Sequence, residues 1–217
     1  MTFPAPHRLH DMAKLLYSAT MSLDGFIAGP GGDMSWLTPY LGPNPLIDRL
    51  IPRVGAILVG GRTFRGGDDP HAGTEGEGKV FGGGWDGPQF VLTRKPPADP
   101  VPGITFVTDV DEAVAATRAA AGDGYVNVIG AATARSCLDA GALDEILVCI
   151  APVLLGDGVR LFDHPGGTHV RLERIEVDTP PMATDVWFRV AGRGVSIRRP
   201  AVRRTAEGDG REDPCAS

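Results

Sequence analysis

No apolar run in the 217 residues approaches the ~18 that a membrane helix needs. The first residues, MTFPAPHRLHDMAK, also lack the hydrophobic centre of a secretory leader. A cytoplasmic protein, with no membrane partner, is expected. Cysteine is scarce. Cys137, Cys149 and Cys215 form no ligand spacing, and the first two sit among apolar residues as buried thiols would. That argues against a disulfide framework and against a thiolate metal centre. Positive charge is short too: the net charge of −6 argues against a nucleic-acid partner. Histidine is rare and poorly placed. His7 and His10 lie near the start, His71 in a glycine-rich stretch, and His164 and His169 beside a turn, so no metal site and no histidine base is expected. Two phosphate-binding fingerprints are missing, GxGxxG and GxxxxGK[ST], which removes the usual dinucleotide turn and the P-loop ATPases.

Glycine and proline are plentiful, at 30 and 19 residues, so long loops and many turns are expected. Strand-like runs occur at 15–21 (LLYSATM), 56–59 (AILV), 89–93, 104–108, 125–130 and within 143–155. Helices are expected over 44–54, where Asn44 can cap and Pro52 can stop, over 109–122 behind Asp109 or Asp111, and over 131–141. Residues 169–179 and 185–191 alternate apolar and polar positions as an antiparallel pair does. Together these predict an α/β fold: a mostly parallel sheet, helices on both faces, and an antiparallel C-terminal edge. The folded domain should span 12–193. The polar, mixed-charge segment 194–217 reads as a disordered tail. Residues 65–88 hold nine glycines in 24 positions, a composition that suits a disordered segment or a mobile lid or binding loop anchored by Phe81 and Trp85.

Open α/β sheets bind ligands beyond the carboxyl ends of their strands. Here those ends read SLDGFIAG, GGRTF, LTRKPP and IGAATA. Gly130 allows close backbone approach, and the free N–H groups of Ala131, Ala132 and Thr133 at a helix start suit an anion; a plain packing turn fits that stretch about as well. Gly60 and Gly61 open the second strand end in the same way, with Arg62 as a rigid cationic fork and Thr63 as a hydroxyl. Leu92, Thr93 and Arg94 close the third. Two arginines at neighbouring strand ends point to a phosphate-bearing ligand.

Four segments in this order, YSATMSLDGFIAGPGGDMSW, ILVGGRTF, FVLTRKPP and VNVIGAATARSCLDAGALDEILVCIAPVLLGDGVRLF, resemble the dihydrofolate reductase superfamily. LDE…IAPVLLGDG is most similar to the C-terminal reductase domain of the bifunctional riboflavin-biosynthesis deaminase–reductase. The resemblance covers about residues 15–191. It implies a three-layer α/β/α dihydrofolate reductase-like fold, NADPH across the strand ends, a small-molecule substrate and a homodimer. It implies a nicotinamide side at Thr20, Ile27 and Ala28. Gly60, Gly61, Arg62 and Thr63 match the pyrophosphate and adenosine side, Leu92, Thr93 and Arg94 the adenosine ribose, and Gly130, Ala131, Ala132 and Thr133 the turn under the pyrophosphate. Residues 22–36 become a loop closing over the site, with Thr20, Met34 and Trp36 beside the substrate.

The chain departs from that pattern. Dihydrofolate reductases carry a carboxylate a few residues after the tryptophan; the matching place falls near Leu41, and no acid lies between Asp33 and Asp48. Gly61 stands where an arginine is usual, with Arg62 one residue later. Gly130–Ala131 replaces a Gly–Gly pair that is usually cis, which implies a differently drawn turn. No HxE and no PCxxC is present, so the deaminase half has no counterpart in this sequence. The expected activity is hydride transfer to a small heterocycle, most like 5-amino-6-(5-phosphoribosylamino)uracil. Folate reduction and a non-catalytic nucleotide-binding dimer are the alternatives. The proton would come from water or from a loop carboxylate, Asp24 or Asp33. The reading the residues favour for Asp24 is structural, bonding backbone in its own turn, with direct ligand contact as the alternative.

Overall fold

Side chains alternate strictly along the first strand, and that alternation divides the core in two. In β1 (Lys14–Ser22), Leu15 and Tyr17 enter one apolar cluster and Leu16 enters another on the opposite face. The computed structural model describes residues 13–66 and 85–191. The expected lid anchor Phe81 and the tail lie outside those residues. Trp85 is described, and its Nε1 donates to the Val54 carbonyl at 2.9 Å.

The short strand β2 (Phe26–Ala28) follows β1. Two 3₁₀ turns, Pro30–Gly32 and Ser35–Tyr40, lead to α1 (Pro45–Leu50). Asn44 caps α1, its side-chain oxygen accepting from the Leu46 and Ile47 N–H groups. The helix is shorter than the sequence suggests. Pro52 offers no N–H to the ladder, and Ile51–Arg53 tightens into a 3₁₀ turn. The next strand, β3 (Val54–Gly60), therefore begins earlier than expected and feeds α2 (Gly61–Phe64).

The remaining elements are β4 (Gln89–Leu92), β5 (Ile104–Val107), α3 (Val110–Ala121), β6 (Tyr125–Ile129), α4 (Ala131–Asp139) and β7 (Leu143–Ala151). They are followed by β8 (Val159–Arg160), β9 (Leu172–Asp178) and β10 (Thr184–Val190). The main sheet runs β5-β4-β3-β6-β1-β7-β10-β9. The pairs from β5 through β7 are parallel, and β10 is antiparallel to both β7 and β9. Helices α3 and α4 cover one face through Ala113, Val114, Ala134 and Cys137. Helix α1 covers the other through Leu46 and Leu50, which meet Leu16, Ile57, Leu147 and Trp187. This is the expected three-layer sheet with its antiparallel C-terminal edge. No described helix is long and apolar enough to cross a membrane.

Candidate active site

The carboxyl ends of β1, β3, β4 and β6, with the turn after β5, surround one cavity of about 1290 Å³. Five adjacent strand ends, four spacings apart, span roughly 19 Å, about the length of an extended dinucleotide. Every residue matched to the cofactor lines this cavity: Ile27 and Ala28; Gly60, Gly61, Arg62 and Thr63; Leu92, Thr93 and Arg94; Gly130, Ala131, Ala132 and Thr133. Thr20 and Met34 line it too.

The floor is built from three glycines set against three threonines. A Cβ on Gly60 would lie 2.5 Å from Thr133 Oγ1, one on Gly61 2.7 Å from Thr93 Oγ1, and one on Gly130 2.7 Å from Thr63 Oγ1. The starts of α2 and α4 thus interlock, each carrying a threonine over the other's glycine. Gly130 has φ +96, a conformation that side chains resist. It hands the chain into α4 with no side-chain cap, so the first N–H groups of that helix remain available to a ligand. No cis peptide bond occurs among the described residues. The glycine cradle and the uncapped helix start fit a pyrophosphate.

Charge is confined to one end. Arg62 and Arg65 on α2 and its cap, Arg94 beyond β4 and Asp109 before α3 are the charged side chains in the lining. Arg94 makes no ion pair among the described residues. The β1 end offers Ser18, Thr20, Ile27, Ala28 and Met34 instead: hydroxyls and apolar groups. Ser18 Oγ donates to Asn127 Oδ1 at 2.7 Å.

That pattern of strand ends has a counterpart in a known family. The model of the RibD C-terminal domain matches residues 13–184. The chain belongs to that family. Solved structures agree in fold. A protein assigned provisionally to riboflavin biosynthesis in Shewanella sp. PV-4 has a TM-score of 0.65 at 21% identity, covering 82% of this chain and 99% of its own. The Thermotoga maritima diaminohydroxyphosphoribosylaminopyrimidine deaminase/5-amino-6-(5-phosphoribosylamino)uracil reductase has a TM-score of 0.55 at 17% identity, covering 83% of this chain and 57% of its own. Dihydrofolate reductase from Enterococcus faecalis, complexed with NADP(H), reaches 0.53 at 15% identity, covering 82% and 98%. No curated protein matches the chain.

Within this RibD-type domain, three of the expected site residues, Asp24, Asp33 and Trp36, are not among the residues lining the cavity. Asp24 turns its carboxylate to Ser22 Oγ at 2.6 Å and to the N–H groups of Leu155 and Gly156 at 3.1 and 2.7 Å. Those bonds, the Ser22 hydroxyl first, hold its carboxyl at about 2, below the usual range. Asp33 accepts from the Ser35 N–H at 2.8 Å. Trp36 sits in the Ser35–Tyr40 turn, which directs its ring to Tyr40 at 6.4 Å. Leu41, where folate enzymes have their acid, is 66% exposed.

Other residues went unread. Ser18 shares a face with Thr20, and strand alternation alone places it in the lining. Asp109 was legible as a helix cap but not as a wall of the cavity. Asp185 on β10 had no signal at all. It is fully buried, one oxygen accepting from Asn44 Nδ2 at 2.7 Å and the other without a partner. It extends a row from the cavity floor, since Thr20 pairs with Cys149 and Cys149 with Asp185. Burial, and then the nearby Asp185 carboxylate, push the Cys149 thiol up, which keeps it an inert core group.

Proposed function

We propose that this protein is an NADPH-dependent reductase of a small heterocycle, most like a phosphoribosylaminopyrimidine. The observation that supports this is the polarity of this cavity: arginines at one end, a glycine cradle in the middle, uncharged hydroxyl and apolar groups at the other. Such a cleft suits a cofactor with a phosphorylated adenosine, a pyrophosphate and a nicotinamide in that order. The bound cofactor supplies a hydride. The chain's residues do the rest. Arg62 and Arg94 hold the adenosine phosphate, and the Ala131, Ala132 and Thr133 N–H groups take the pyrophosphate. Ile27, Ala28 and Met34 exclude water where the acceptor carbon must come within about 3–3.5 Å of the donor. Ser18 and Thr20 orient the acceptor. Asp24 and Asp33 are occupied with backbone, so the proton reaches the product from water.

Folate-type reduction is the second reading, and Asp185 favours it by bringing a carboxylate to the start of α1. Its complete burial weighs the other way. The test is loss of NADPH absorbance with a ribosylaminopyrimidine phosphate and, separately, with dihydrofolate. Turnover on the first alone is expected. Tight NADPH binding without turnover on any acceptor would favour a non-catalytic scaffold. We also infer a homodimer through β9, the edge strand of the sheet among the described residues, where Leu172, Ile175 and Val177 are exposed. Light scattering should then give about twice the 22.8 kDa chain mass; a monomer at micromolar concentration would contradict it.

A further inference from the structure

The charged end of the cavity contains an anion among its cations. Strands β4 and β5 finish side by side, with Leu92 paired to Val107 and the Thr93 N–H bonded to the Val107 carbonyl at 2.9 Å. Two residues beyond each paired end stand Arg94 and Asp109, and both line the cavity. Asp109 caps α3, but with one oxygen only: Oδ1 accepts from both the Asp111 and Glu112 N–H groups, each at 3.0 Å. Its Oδ2 has no partner among the described residues. The cap bonds fix the carboxylate, so the second oxygen is an oriented acceptor at the arginine-bearing end.

We infer that Asp109 is a specificity-determining residue that opposes Arg94, giving the site a deliberately small margin between NADPH and NADH. This rests on the dinucleotide reading above. An oriented carboxylate accepts hydrogen bonds from a free ribose diol and repels a 2′-phosphate. A guanidinium does the reverse, gripping the phosphate and gaining little from a hydroxyl. With both at one end, each cofactor meets one favourable group. The 2′-phosphate still has the advantage because Arg62 adds a second cation. The chain is thereby a reductase that uses both cofactors, preferring NADPH modestly, and the acid on α3 sets how modest that preference is.

The experiment is calorimetric titration with NADPH and NADH, and with 2′-phospho-ADP-ribose and ADP-ribose, which carry only the adenosine end. Three proteins are compared: wild type, Asp109→Asn and Arg94→Ala. Asparagine caps a helix as well as aspartate does, so Asp109→Asn keeps α3 intact while removing the charge. Wild type should bind both members of each pair, with the phosphorylated one tighter by less than about tenfold. Asp109→Asn should widen the ratio by about a further tenfold in both pairs, and Arg94→Ala should reverse it. A ratio unchanged by Asp109→Asn, with both ligands still bound, would overturn the inference and leave the dinucleotide reading standing. Failure of wild type to bind any of the four would remove the dinucleotide reading, and this inference with it.

Discussion

The two ends of the central sheet use charge in opposite ways. At the amino end, ions are locked together. Glu145, only 2% exposed, accepts from Lys14 Nζ at 2.8 Å, Tyr125 Oη at 3.1 Å and Trp187 Nε1 at 2.9 Å. Asp144 takes the Leu15 N–H and an Arg118 nitrogen, each at 2.8 Å. Burial first, then Glu145, lifts the Tyr125 hydroxyl to about 12, so it stays a donor. Around the cavity at the carboxyl end, polar groups are left open among the described residues: an uncapped helix start, Arg94 without an ion pair, and one spare oxygen on Asp109. Satisfied charge makes the lower end a clamp that joins β1, β6, β7 and β10. Available charge makes the upper end a receptor.

The contrast can be broken most forcefully at Glu145. Glu145→Leu orphans a tyrosine hydroxyl and an indole N–H, and should lower stability by about 3 kcal/mol in chemical denaturation. The folded fraction should keep wild-type NADPH affinity; a folded variant that no longer binds would erase the distinction between the ends. The mirror experiment is Gly130→Ala. The added Cβ meets Thr63 Oγ1 at 2.7 Å and φ +96 becomes strained, at about 1–2 kcal/mol. Here NADPH affinity should fall at least tenfold. Unchanged affinity would mean the cradle is only a packing turn.

A smaller effect is expected in residues 22–36. Gly31 and Gly32 hold φ of +70 and +90 between β2 and the Ser35–Tyr40 turn. Replacing both with alanine should lower kcat several-fold while NADPH Kd changes little, because most of the cofactor's expected contacts lie at 60–63, 92–94 and 130–133. If kcat does not move, residues 29–33 merely connect. The smallest effect concerns Asp24. Its folded value lies below the ordinary 3.8, at about 2. Its clamp on residues 155–156 is therefore fully present above pH 4 and is lost as the pH falls toward 2. Acid unfolding of Asp24→Asn should show a shallower dependence over that window than wild type, with equal slopes near neutrality.

Much of this was readable in the residues because the signals were local. Asn44 and Asp109 announce helix starts, and apolar runs ending in glycine or a hydroxyl announce strands that carry a site. The thirteen residues matched to the cofactor lie at such ends or in the turns, helix starts and short strand that follow them, and all line the cavity. What failed to show depends on long-range pairing. Asp185 meets Asn44 across 141 positions, and no periodicity reports that. Trp36 looks like a pocket wall until the 3₁₀ geometry of its turn directs the ring to Tyr40. Asp24 is readable as an acid that bonds backbone, but much of the backbone it serves belongs to residues 155–156, far along the chain.

The central claim is that one cavity holds NADPH in one direction, phosphorylated adenosine toward the arginines and nicotinamide toward β1. A crystal structure of the NADPH complex tests it most directly. The account predicts the 2′-phosphate within hydrogen-bonding reach of Arg94 or Arg62, the pyrophosphate on the Ala131–Thr133 N–H groups, and the nicotinamide ring beside Thr20, Ile27 and Ala28. A cofactor bound in the reverse direction, or seated away from the glycines at 60, 61 and 130, would contradict it.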